Sequence, residues 1–373
     1  MKKYLFILLA AFQTTATFSQ LINGSFQFDG LMRTYNVYLP ADYQPGNSLP
    51  LILALHGYTQ TGQSMMTFSG FNQVADTAGF VVVYPDGIGN AWNVGFSGGS
   101  TADDVGFLLA LTDTLHQRYN IDYSRVYATG FSNGGFMSYR LACETPDRIA
   151  AIAPVAGTMT VESAASCVPG LSVPVLHIHG TSDFVVSYNG GFGNLSVDQV
   201  INLWNGFNQC PVQPTIENLP DIVAEGSTVQ RYTWSPCSDD SRVVLLKVIN
   251  GGHTWPGSVG VTGIGITNRD INASSEIWNF VKDFSRPLIT SAYAVLPSQT
   301  LVYPNPLTGN LLRINSADNW QTAEFFDVSG REIFEKDISE NSLIQVPYLE
   351  AGIYFLILKN EKKREIIKLI SRN

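Results

Sequence analysis

Residues 126–135 read Val126-Tyr127-Ala128-Thr129-Gly130-Phe131-Ser132-Asn133-Gly134-Gly135. An apolar, β-prone run meets a serine flanked by glycines, and a helix-like stretch to Cys143 follows. Glycines at 130 and 134 permit a sharp strand-to-helix turn that presents the Ser132 hydroxyl at the edge of a sheet, above a helix N-terminus. Strand before and helix after make this G-x-S-x-G a nucleophile turn rather than a chance match.

Similar units lie on both sides. Apolar runs at 49–55, 80–84, 149–155, 173–179 and 243–249 alternate with helical stretches at 102–119, 134–143, 197–207 and 273–284. Runs apolar throughout, interleaved with helices, predict a mostly parallel sheet covered on both faces, an open α/β domain ending near Arg286. Residues 21–39 alternate and predict a hairpin turning at Gly24-Ser25. The stretch 287–300 is small, polar and uncharged, with a linker expected at 289–300. Beyond it, short strands at 311–315, 322–327, 332–334, 343–347, 352–359 and 365–370 predict a small C-terminal β-sandwich over 301–373.

A serine hydroxyl needs a base, and the base needs a carboxylate. In a sheet of this kind the chain order is Ser, acid, His. Of five histidines only His253 lies well beyond Ser132 and after a plausible acid. It stands in the glycine-rich loop 250–257 that follows the run 243–249. Asp183 follows the run 173–179 in the turn Gly180-Thr181-Ser182-Asp183, whereas Asp198, Glu217 and Asp221 have no strand-end context. An oxyanion requires two backbone donors. Asn133, just after the serine, and Tyr58, in the loop after 49–55, are the expected pair. His56 is read as fixing that loop, His177 and His179 as core or supporting residues, and Asp103 and Asp104 as helix-capping groups. Trp92 and Trp255 are candidate substrate contacts.

The chain has 373 residues with 45% hydrophobic and 14% charged side chains and a net charge of −9. That composition excludes disorder and argues against nucleic acid as a partner. Lys2 and Lys3, the apolar stretch 4–12 and the small polar run 14–20 predict a signal peptide over 1–19, too short to span a bilayer. Export suits four cysteines, Cys143, Cys167, Cys210 and Cys237, as disulfides. Three connectivities are open, and sequential pairing closes two short loops. No metal or organic cofactor is implied.

Residues 30–285 resemble the exported poly(3-hydroxybutyrate) depolymerase, feruloyl and acetylxylan esterase group of the α/β-hydrolase superfamily. The carriers are LHGYTQTG (55–62), YPDG (84–87) with AWN (91–93), DDVGFL (103–108) and RVYATGFSNGGFMSYRLACETPD (125–147). IAAIAPVAG (149–157), PVLHIHGTSDFVVSYNGG (174–191), GGHTWPG (251–257) and RDINASSEIWNF (269–280) complete them. The resemblance implies Ser132, Asp183 and His253 as a triad. It also implies an ester-bearing polymer as substrate: hydroxycinnamoyl or acetyl esters of plant polysaccharide, with a polyhydroxyalkanoate as the alternative. Residues 301–373 resemble the C-terminal sorting domain of type IX secretion, through Tyr303-Pro304-Asn305-Pro306, FFDVSGREIF (325–334) and AGIYFLILKNEKKREIIKLI (351–370). This implies the type IX machinery as a partner, passage across the outer membrane, and a secreted or surface location without stable membrane insertion. A remoter alternative is a surface-displayed binding protein that keeps a hydrolase scaffold without catalysis. A peptidase on the same fold usually carries a gating domain upstream, for which few residues are present.

Overall fold

The computed structural model describes residues 19–96, 99–258, 263–286, 300–307, 309–315, 320–328, 330–338, 343–360 and 364–372. Apart from Ser19 and Thr300, the expected signal peptide and linker lie outside the described residues. The chain divides into two units, with the boundary after Leu288.

In the first unit the apolar runs become the middle of a ten-stranded sheet. In chain order the elements are β1 Gln20–Phe28, β2 Leu31–Leu39, β3 Leu49–Leu55, α1 Gly62–Ser69, α2 Phe71–Ala78, β4 Val81–Pro85 and α3 Asp104–Tyr119. Next come β5 Ile121–Phe131, α4 Asn133–Glu144, β6 Ala151–Val155, α5 Val161–Ser166, β7 Val175–Gly180 and α6 Val197–Phe207. The unit closes with β8 Thr215–Asn218, β9 Thr228–Trp234, β10 Val243–Ile249 and α7 Ala273–Val281. The strands lie in the order β1-β2-β4-β3-β5-β6-β7-β10-β9-β8. From β4 to β10 neighbouring strands are parallel. Antiparallel strands border them on both sides.

Successive residues of a strand point to opposite faces, and here each face has its own core. Leu51, Leu53 and Leu55 of β3 pack with Phe107 and Leu111 of α3, Met137 and Tyr139 of α4 and Trp204 of α6. Ile52 and Ala54 pack with Met65 of α1, Phe71 of α2 and Ile277 of α7. Two-sided cover explains why these strands read as unbroken apolar runs.

The first hairpin departs from expectation. Its turn is at Asp29-Gly30, both at positive φ, as a two-residue hairpin requires. Gly24 sits inside β1 opposite Tyr35, where a Cβ would stand 2.3 Å from the tyrosine ring. The glycine signalled close packing instead of a turn. The disulfides join Cys143 to Cys167 and Cys210 to Cys237.

The second unit has two antiparallel sheets, β11 Leu301–Tyr303, β12 Leu311–Asn315 and β15 Leu343–Gln345 in one, and β14 Glu332–Asp337, β13 Thr322–Asp327, β16 Gly352–Lys359 and β17 Arg364–Ser371 in the other. They share a core that includes Leu312, Trp320, Phe325, Ile344, Leu356 and Leu369.

Candidate active site

The sheet's connections reverse direction at β3, whose neighbours β4 and β5 lie on opposite sides. In open α/β sheets such a switch leaves a crevice beyond the strands' C-terminal ends. Ser132 follows β5 and Tyr58 follows β3, one on each side of that crevice.

Ser132 has φ 55° and ψ −116°, a conformation that L-residues rarely hold outside functional turns. Its N–H donates to the Val155 carbonyl of β6, and its own carbonyl accepts from the Gly135 and Phe136 N–H groups. The turn closes so tightly that a Cβ on Gly130 would stand 2.4 Å from the Gly134 backbone, and one on Gly134 2.1 Å from the Leu55 carbonyl oxygen. The glycine pattern is therefore a steric demand.

Asp183 lies in the turn after β7, which is tied to the end of β10 by Thr181 N–H to Val248 O and Ser182 N–H to Gly251 O, both 2.9 Å. Its Oδ1 accepts the Val185 and Val186 N–H groups at 2.9 and 2.8 Å. Its Oδ2 faces His253 Nδ1 at 2.7 Å and His179 Nε2 at 3.3 Å. Burial alone would raise this carboxyl's pKa. The hydrogen bonds from His179 and His253 outweigh burial and hold it well below the ordinary range. His253 is fixed by reciprocal backbone bonds with Ile264 of 2.8 and 3.0 Å. Its ring packs 4.8 Å from that of Phe131, the residue before Ser132.

Ser132, Tyr58 and Asn133 line one cavity of about 250 Å³, together with Trp92, Phe96, Phe136, Val185, Val186 and Asn194. Among the described residues the backbone N–H groups of Tyr58 and Asn133 donate to no protein acceptor. Asn133 begins α4, so its N–H is one of the four a helix leaves open.

Three sequence readings need correction. Trp255 is completely buried between Phe68 and Phe71, too deep to touch a substrate. Trp92 borders the cavity but is only 1% exposed, and its indole N–H donates to the His56 carbonyl at 2.9 Å. Its backbone N–H donates to Asn133 Oδ1 at 2.6 Å. Trp92 thus joins the loop of Tyr58 to the start of α4 and sets the spacing of the two open donors. His56 does fix its loop, through Gly57 O and Gly87 N–H, and burial lowers its pKa. Asp103 caps α3 through the Gly106 N–H. Asp104 is not a capping group: it is fully buried against Arg33 at 2.6 Å and also accepts the Asn93 N–H. Among the described residues no cluster of His, Cys, Asp or Glu is arranged to hold a metal ion, and no helix is long and apolar enough to cross a membrane.

Residues 30–165 match the family model described as "Putative esterase". The bifunctional acetylxylan esterase/xylanase XynS20E of Neocallimastix patriciarum is 30% identical over 71% of this chain and 35% of its own length. Feruloyl esterase B of Piromyces equi is 30% identical over 67% of this chain and 45% of its own length. "Putative esterase NocK" of Nocardia uniformis is 30% identical over 62% of this chain and 74% of its own length. The chain belongs to the esterase family.

That family of carboxylic ester hydrolases takes in feruloyl and acetylxylan esterases and poly(3-hydroxyalkanoate) depolymerases. The chain spans less than half the length of two of the three relatives named. Residues 301–372 match the family model described as "Secretion system C-terminal sorting domain", a signal for the cell surface or beyond.

No local sequence signal announces the support behind the site. Arg33 and Asp104 are 71 residues apart, and no local signal joins them. Asn194 lines the cavity from the loop after Tyr188, in a segment whose glycines gave no chemical cue.

Proposed function

We propose that the protein is an exported serine esterase acting on polymer-linked esters, with hydroxycinnamoyl or acetyl esters of plant polysaccharide as substrates. The observation that carries the reading is the 2.7 Å bond between His253 and a buried, ionised Asp183, with the His253 ring packed on Phe131, the residue before a serine held in a strained nucleophile turn. In this mechanism His253 Nε2 takes the Ser132 hydroxyl proton as Oγ attacks the ester carbonyl carbon. Asp183 holds the ring in the tautomer that leaves Nε2 free and stabilises the imidazolium. The N–H groups of Tyr58 and Asn133 receive the oxyanion, worth about 3–4 kcal/mol per donor in comparable sites. The imidazolium returns its proton to the leaving alcohol, and water then releases the acid from Ser132.

The cavity walls support an aromatic acyl group. Tyr58, Phe96 and Phe136 supply aromatic surface, and Asn194 Oδ1 has no partner among the described residues. A buried acceptor in an apolar slot fits the hydroxyl of a phenolic acid. Exposed Tyr58, Phe184 and Val185 favour a second reading, a polyhydroxyalkanoate depolymerase with the same triad, because they offer an apolar surface to a polyester. The division of labour we propose is a signal peptide at 1–19, the esterase domain at 20–288, a linker at 289–300, and residues 301–373 engaging the type IX machinery.

The test compares wild type with Ser132→Ala on p-nitrophenyl acetate, methyl ferulate and a polyhydroxybutyrate suspension. Ester hydrolysis is expected for wild type and lost by at least about a thousandfold in the variant. Equal rates for both proteins on every substrate would refute the assignment. Asn194→Leu should lower the ratio of ferulate to acetate turnover by roughly five- to tenfold, the worth of one hydrogen bond. An unchanged ratio removes the phenol-binding role.

A further inference from the structure

Behind Asp183 runs a buried line of polar groups that the proposed mechanism does not use. Tyr139 Oη on α4 lies 2.7 Å from His177 Nδ1. His177 Nε2 lies 3.1 Å from His179 Nδ1, with the two rings nearly parallel on β7. His179 Nε2 lies 2.8 Å from the Val186 carbonyl and 3.3 Å from Asp183 Oδ2. All three side chains are buried.

With both rings neutral, these contacts allow one arrangement of protons. His179 Nε2 faces two oxygens that only accept, so it carries the hydrogen and Nδ1 is an acceptor. His177 Nε2 must then donate to that Nδ1, which leaves His177 Nδ1 to accept from the Tyr139 hydroxyl. Every donor points toward the carboxylate. Aligned hydrogen bonds in a dry interior strengthen one another.

We infer that His179, with its tautomer locked by His177 and Tyr139, is a positioning residue that donates to Asp183 and shares the oxygen bound to His253. This rests on the triad reading above. Withdrawing part of the charge from Oδ2 moderates its pull on the proton that His253 takes up in catalysis. Other ionisable groups facing this line are few. Tyr188 meets the His179 ring edge-on at 6.0 Å and donates to Asp198 on α6. Lys247, paired in register with His179 across β10 and β7, lies 5.0 Å from the Tyr188 ring. His253 completes the set.

The experiment measures the pH dependence of kcat/KM for p-nitrophenyl acetate, using the purified chain and variants checked for native near-ultraviolet circular dichroism. In His179→Leu the acid limb should move up by about half to one pH unit, the equivalent of one lost hydrogen bond. In His179→Gln, whose amide N–H reaches the same oxygens, the limb should return to within about 0.2 units of wild type. Should the leucine variant fail to fold, Tyr139→Phe decides, since it removes one hydroxyl from the far end of the line. It should move the limb in the same direction by a smaller amount. An active wild type whose limb is unmoved in the folded leucine variant, or failing that in Tyr139→Phe, overturns this inference alone. A wild type inert on every ester overturns the triad and this inference with it.

Discussion

Four N–H groups converge on the carboxylate of Asp183, although the side chain is shut away from water. Its pKa is depressed in the folded chain from a reference of 3.8. A group of this kind adds stability that is fully present above its unfolded pKa and lost as the pH falls through the folded value. Thermal melts of wild type and Asp183→Asn should therefore show a difference, wild type minus variant, that falls as the pH drops from about 6 to about 3. A difference constant over that range contradicts the bonding described. The same substitution offers His253 Nδ1 a donor or a weaker acceptor, which favours the wrong tautomer. At pH 7 kcat should fall by roughly 10⁴, the cost of this change in a serine protease.

At the scale of elements, the buried pair between Arg33 on β2 and Asp104 at the start of α3 holds more than its two elements. Asp104 Oδ2 also accepts the Asn93 N–H, and the neighbouring Trp92 is bonded to Asn133. Arg33→Met should cost about 3–5 kcal/mol, because it leaves a buried carboxylate without its cation. Adding Asp104→Leu should recover most of that stability in a denaturant titration but lower kcat, since the Asn93 N–H beside Trp92 then has no acceptor. Recovered stability with an unchanged kcat would mean that the pair supports only the fold.

The same elements show where sequence reading works and where it stops. Strands covered on both faces announce themselves as apolar runs, so β3 and β10 are found to the residue and β7 to within two. The strand ends then put Ser132, Asp183 and His253 on one edge of the sheet. Helices α1 and α2 went unread because Gly70, at φ 68°, breaks the segment into two eight-residue pieces, each too short for a clear period. Strand β8 is an exposed edge with no apolar face to read. Burial of Trp92 and Trp255, and the partnership of Arg33 with Asp104, depend on packing between distant segments, which carries no local signature.

At the scale of the whole molecule, each of the two units has its own hydrophobic core. Among the described residues, the two clusters on either face of the large sheet draw on residues before 289 and the third on residues after 300. Both disulfides also fall inside the first unit, closing loops with sequence separations of 24 and 27 residues. Loops of that length contribute about 3–4 kcal/mol each by restricting the unfolded chain. A domain with its own core and its own cross-links can fold without its neighbour. Residues 20–288 should therefore purify as a folded, disulfide-bonded protein with kcat/KM on p-nitrophenyl acetate within about twofold of the longer chain. In a host with type IX secretion, residues 1–288, which keep the signal peptide, should leave the enzyme in the periplasm, because the sorting domain is gone. A truncated form that still appears in the medium would separate export from residues 301–373. One that is exported normally and also inactive would mean that the C-terminal unit serves the esterase itself.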